Sequence, residues 1–273
     1  MNIFNSLSSI LFQEGISNFI KRKRNKTFLD NRVLFNIHYN NKIAKIFLNK
    51  KFGYVDQYIF AEGIYEKNII DEIREVLFPE KVLLDIGSNI GQHSLILAPY
   101  CKKIFAFEPI PEIYQEFQNS IEANHYKNVF LTNTAIGNKK ETKSFHFNIS
   151  NAGASSFIEN DRASKLLQVN INILEDVLPK NQNFEVVKMD VEGYEAVVIL
   201  GNKEIFLKNR PIFFLEFSPN CINKEGSHSA NELIDFFFEN NFVIFAHSSQ
   251  KTFTEFTLEL LKIDNWIVSP IKK

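Results

Sequence analysis

Val82-Leu83-Leu84-Asp85-Ile86-Gly87-Ser88-Asn89-Ile90-Gly91 runs from an unbroken apolar stretch into a glycine turn. Five residues without polar alternation, bounded by a turn, are what a strand buried on both faces of a parallel sheet requires. Gly87 lets the backbone turn sharply and approach a ligand closely. A helix is expected to open near Gly91. In doubly wound folds the ligand sits at this carboxyl edge of the sheet.

The same rhythm of apolar strand, polar turn and helix repeats outward from residue 80. Lys103 to Glu108, Val129 to Leu131, Val186 to Asp190 and Ile212 to Glu216 read as further strands, and Phe253 to Val268 as a source of final ones. Tyr114, Phe117 and Ile121 mark one face of an intervening helix. The expected fold is therefore α/β, a Rossmann-like doubly wound and mostly parallel sheet with right-handed crossovers.

Before the sheet, residues 1–78 read as an extension and 79–273 as the main domain. Ile3, Phe4, Leu7, Ile10 and Leu11 recur at helical spacing, followed by the basic run Lys21 to Arg24. Such a helix either packs on its own domain, the preferred reading, or makes peripheral contact with a membrane surface. Residues 33 to 60 read as short strands, and Ile64 to Leu77 as a helix stopped by Pro79.

Composition narrows the function. The 273 residues carry 31 Lys and Arg against 32 Asp and Glu, so no large electrostatic footprint for nucleic acid is expected. The two cysteines, Cys101 and Cys221, have no metal-type spacing and are expected as reduced, buried thiols of a cytoplasmic protein. No apolar run reaches the ~20 residues of a membrane span. The N-terminal charges follow the apolar stretch, which is not the order of a signal peptide.

The turn selects the ligand. A dinucleotide fingerprint has three glycines, but Asn89 stands at the middle position, leaving Gly87 and Gly91. A carboxylate at Asp85 would repel a pyrophosphate and pair with an ammonium or sulfonium, as in S-adenosylmethionine (SAM). Glu108, 17 residues past Gly91, ends the next strand where an acid can accept from both ribose hydroxyls, and Pro109 sets the turn after it. Asp190 and Glu216 end later strands at the same edge. Asp190 either caps a helix or serves as a base near the substrate. Two such acids could also hold a divalent ion, a reading that is not favoured. No metal ligand is assigned.

Several motifs together resemble the FkbM-type SAM-dependent methyltransferases. These are Asp85 to Gly91, Phe107-Glu108-Pro109, Ala135-Ile136-Gly137, Asn151-Ala152-Gly153, and Lys188-Met189-Asp190-Val191-Glu192-Gly193-Tyr194-Glu195. The resemblance implies a class I methyltransferase fold and, as its usual chemistry, O-methylation of a hydroxyl on a sugar, polyketide or similar acceptor. A sugar or glycan-pathway intermediate in a bacterium is the preferred class. The implied cofactor set is Glu62, Asp85, Gly87, Asn89, Gly91, Glu108, Pro109, Asn133, Ala135 and Asp190. Asp190 is the first candidate for the base and His228 the second. His93, just inside the first helix, reads as a structural side chain. The rivals are a nicotinamide-dependent oxidoreductase on a similar sheet and a non-catalytic interaction domain. Oligomeric state is not legible.

Overall fold

The computed structural model describes residues 31–148, 151–158 and 164–271. The N-terminal helix and basic run expected before residue 30 lie outside them. Among the described residues, no helix is long and apolar enough to cross a membrane.

The chain enters as a hairpin, β1 (Val33–Tyr39) and β2 (Lys42–Leu48), paired antiparallel from Val33↔Leu48 to Tyr39↔Lys42. Asn40 and Asn41 both take positive φ at the turn, the geometry that suits strand twist and that Asn tolerates. Two helices follow, α1 (Tyr54–Glu62) and α2 (Lys67–Val76). The expected strand character up to residue 60 is corrected here. Val55 and Ile59 are buried four residues apart, a helical spacing, and glycines at positive φ bound α1 on both sides.

The main sheet has eight strands in the order β12-β11-β13-β10-β9-β3-β4-β5. Its parallel part is β5 (Val129–Thr132), β4 (Lys103–Phe107), β3 (Val82–Ile86), β9 (Val186–Met189) and β10 (Ile212–Phe217). Three antiparallel strands complete it: β13 (Asp264–Pro270), β11 (Phe242–Ala246) and β12 (Lys251–Phe253). A separate three-stranded sheet, β6 (Ala135–Ile136), β8 (Ser164–Asn172) and β7 (Glu141–Asn148), is inserted between β5 and β9. Neither β11 nor this insertion is among the strands expected from the sequence.

Strand alternation sorts the core into two layers. Val82, Leu84 and Ile86 face a cluster with Phe107, Val187, Met189, Phe213 and Trp266. Leu83 faces the other cluster, with Ile104, Phe117 and the hairpin residues Ile37, Ile46 and Leu48. The first layer is covered by α6 (Glu195–Gly201), α7 (Lys203–Asn209) and α9 (Ala230–Glu239), the second by α2, α3 (Gln92–Leu97) and α4 (Pro111–Asn124). The short helices α5 (Leu174–Val177) and α8 (Pro219–Glu225) bracket the later strands. The strand order reverses between β3 and β9, so a crevice opens at their carboxyl ends.

Candidate active site

Gly87 fixes that crevice. It sits at φ 79°, and a Cβ there would lie 1.9 Å from the Asp190 carbonyl oxygen. The loops after β3 and β9 meet at this point, and no other residue type fits. The Gly87 and Ser88 N–H groups donate to the Phe107 carbonyl at 3.1 and 3.0 Å, tying the turn to β4.

Two clefts adjoin. The first has an apolar wall of Phe107, Ile110, Ala135, Phe145 and Phe157. Gly87, Asn89, Glu108, Pro109, Thr134, Asp190 and Glu192 are among the residues of its remaining lining. The second is polar and presents Tyr54, Tyr65, Glu66, His93, Lys188 and Glu216. Asn89, Gly153, Asp190 and Glu192 line both, so the clefts open into each other there.

Glu108 is 4 % exposed. Its two oxygens accept from Asn89 N–H at 3.0 Å and Ile110 N–H at 2.8 Å. Burial outweighs these donors and pushes the carboxyl up to about 7. Each oxygen keeps a lone pair free for a further donor.

Four expected site residues stand elsewhere. Asp85 shares the Leu83 face of β3, so it points under α3 and lines neither cleft. It is fully buried, accepts from Ser94 Oγ at 2.6 Å and lies 3.8 Å from Lys188 Nζ. Gly91 starts α3 against the Phe117 ring, 2.1 Å from where a Cβ would be, also off both clefts. Asn133 donates to the Glu108 and Pro109 carbonyls and so holds the turn, while Thr134 and Ala135 supply the wall. Glu62 is exposed at the end of α1 and lines neither cleft.

His228 is likewise away from the site. It lies before α9, 3.8 Å from Glu232, on neither cleft. The buried cysteine of the pair is Cys101, whose thiol burial pushes up to about 12, while Cys221 is only partly covered.

The polar cleft also holds residues outside the implied cofactor set. Glu66, four residues past Glu62, is the acid that faces it, at φ 49°. Gln92 fixes that turn by exchanging two hydrogen bonds with the Tyr65 backbone. Burial and the Asp190 charge push Glu66 up to about 7. Burial and the Lys188 charge pull His93 down to about 3, so its imidazole is neutral. Lys188 donates to the Gly87 carbonyl at 3.0 Å and stands 3.5 Å from Asp190. Burial alone would lower its pKa, but Asp190, Asp85, Glu66 and Glu216 hold it above the usual lysine value. The mutual repulsion of Glu216 and Asp190, together with burial, drives Glu216 well above the carboxylate range, and burial does the same to Glu192.

The family model described as the methyltransferase FkbM domain matches residues 85–244, more than half of the chain. The chain belongs to this family. It is a SAM-dependent methyltransferase, and its cofactor is SAM. It is 26 % identical over 166 residues to "Methyltransferase 1" of Beauveria bassiana, covering 52 % of this chain and 67 % of that one. An 86-residue stretch is 36 % identical to the AMB antimetabolite synthetase AmbE of Pseudomonas aeruginosa, covering 31 % of this chain and 4 % of that one. Among solved structures it is similar to methyltransferase FkbM from Methylobacillus flagellatus, at 12 % identity, TM-score 0.44 and coverage of 78 % and 54 %. It is also similar to M. jannaschii TYW2 in complex with AdoMet, at 13 % identity, TM-score 0.46 and coverage of 89 % and 87 %.

Proposed function

We propose that this FkbM methyltransferase O-methylates a hydroxyl of a sugar or glycan-pathway intermediate in the cytoplasm. The observation that carries the proposal is the junction of an apolar-walled cleft with a polar, acidic one at Asp190.

The first cleft fits SAM by the chemistry of its lining. Phe107, Ile110, Ala135 and Phe145 would enclose the adenine, and Glu108 would accept from the ribose hydroxyls through its free lone pairs. Gly87 and Asn89, in left-handed turns, would let the methionine part approach the backbone. Asp190 and Glu192 would face its positive charge, and Asp85 acts one step back by positioning Ser94 and Lys188. When bound, SAM supplies an electrophilic methyl group.

The second cleft takes the acceptor. Tyrosine rings and several carboxylates suit a polyhydroxylated ring, and the excess of acids over Lys188 opposes phosphate-rich acceptors such as nucleic acid. Asp190, shared by both clefts, would accept the hydroxyl proton. Holding the acceptor in line is worth ~7–11 kcal/mol in favourable cases. Asp190→Asn is expected to lower turnover about 10²–10⁴-fold, far more than it weakens binding of SAH (the demethylated cofactor), which lacks the sulfonium charge. Retained turnover removes Asp190 from the proton transfer.

Release of SAH from SAM, measured with neutral oligosaccharides, glycolipids, peptides and RNA as acceptors, tests the acceptor class. Turnover with hydroxyl-bearing sugars is expected. Turnover confined to RNA or to amines would contradict the proposal.

A further inference from the structure

Asp190, Glu192 and Glu216 each offer a carboxylate oxygen within 4.8 Å of the others. Two come from the loop after β9 and one from β10, so the main chain brings them together from separate elements. Two oxygens bound to one cation can lie at most twice the bond length apart, about 4.2 Å for Mg²⁺ and about 5 Å for Ca²⁺. The 4.8 Å bound lies inside the Ca²⁺ limit, and the three side chains need to draw together by about half an ångström for Mg²⁺.

Lys188 compensates the group only in part. Its ammonium is shared among the Gly87 carbonyl, Asp85 Oδ1 and Asp190 Oδ2. Asp190 Oδ1 stays outside that set. Among the described residues, no Lys, Arg or His forms an ion pair with Glu192 or Glu216.

A second observation points the same way. His93 is 8 % exposed and lines the same polar cleft, yet its Nε2 has no hydrogen-bond partner. The nearest acid, Glu66, stands at 3.6 Å, beyond bonding distance. Glu195, 1 % exposed, accepts from the Val191 and Gly193 N–H groups through Oε1, while Oε2 has no partner. Buried polar atoms are almost always satisfied, so both atoms have room for a partner such as an ion or its water.

We propose that Asp190, Glu192 and Glu216 form a site for one hard divalent cation, Mg²⁺, Mn²⁺ or Ca²⁺. All three donors are oxygens, which selects hard cations over thiophilic metals. His93 lines the same cleft as the three carboxylates and would hold a water or an acceptor oxygen there. The cation would orient neighbouring acceptor hydroxyls beside Asp190. That role rests on the hydroxyl-methylation reading, whereas the site itself does not.

Mn²⁺ is the probe, titrated into the full chain without SAM or acceptor and followed by electron paramagnetic resonance and calorimetry. One saturable ion per chain is expected, displaced by excess Mg²⁺ or Ca²⁺. Its binding should quench the fluorescence of Trp266, the one tryptophan of the sequence, which lines a pocket with Asp190 and Glu216. Glu192→Gln and Glu216→Gln should each weaken Mn²⁺ binding at least tenfold, and Glu62→Gln should not change it. Absence of saturable Mn²⁺ binding below millimolar concentration overturns the proposal. So does bound Mn²⁺ that leaves Trp266 unquenched, a readout that needs no variant, and so does undiminished binding in a folded Glu192→Gln, Glu216→Gln double variant. SAH titration of the same samples separates the two ideas: wild-type protein that takes Mn²⁺ but not SAH contradicts the methyltransferase reading alone.

Discussion

At the scale of single residues the site depends on groups placed by backbone geometry. Glu108 is buried with its oxygens on the Asn89 and Ile110 N–H groups, and its carboxyl is pushed up to about 7. Ribose hydroxyls donate best to the ionised form. SAH affinity is therefore expected to fall as pH drops below about 7, and calorimetry between pH 5.5 and 8 checks the sign. Gly87→Ala should cost at least tenfold in SAH affinity, since its Cβ would overlap the Asp190 carbonyl at a φ that alanine resists. The need for Gly87 was legible from the turn. The place of Asp85 was legible only in part: as neighbours of Leu84, Leu83 and Asp85 share a face, which turns the carboxylate under α3 and off the lining of both clefts.

Among elements, the parallel strands were the most legible, because burial on both faces leaves unbroken apolar runs such as Val82 to Ile86. Helix α1 was not, because its aromatic and β-branched residues imitate a strand and only the Val55 to Ile59 spacing marks it. Strand β11 was lost in the phenylalanine-rich run from Phe236 to Phe245, where only Asn240-Asn241 separates helix from strand. Glu62 and Glu66 could not be told apart before Gly63 was seen to end α1. The junction of α3 and α4 carries its own test. Phe117 is fully buried against Gly91, so Phe117→Ala should cost about 3–5 kcal/mol in urea unfolding and loosen the turn before α3.

For the whole molecule, the expected boundary at residue 78 is best treated as a division of sequence only. Ile37, Ile46 and Leu48 of the hairpin share one core with Ile104 of the sheet and Phe117 of α4. We propose that residues 79–273 alone lose much of the stability of the longer chain. Protonation adds a second whole-molecule expectation. Asp56, Glu66, Glu108 and Glu195 are each raised to about 7, chiefly by burial, so the folded chain holds protons that the unfolded chain releases near pH 4 to 4.5. Their contribution is full below that range and is lost as pH rises to about 7. His93, lowered to about 3, opposes the trend below about pH 6.5 but is one group against four. Without ligand, the Tm should be lower at pH 7.5 than at pH 5, at about 2–4 °C per kcal/mol for a chain of this size.

The most direct test of the central claim is calorimetric titration of the purified chain with SAM, SAH and NAD in parallel. Micromolar binding of SAM and SAH, lost in Glu108→Ala and absent for NAD, is the expected result. Failure of SAM and SAH to bind, or a clear preference for NAD, would contradict the assignment of this cleft to SAM.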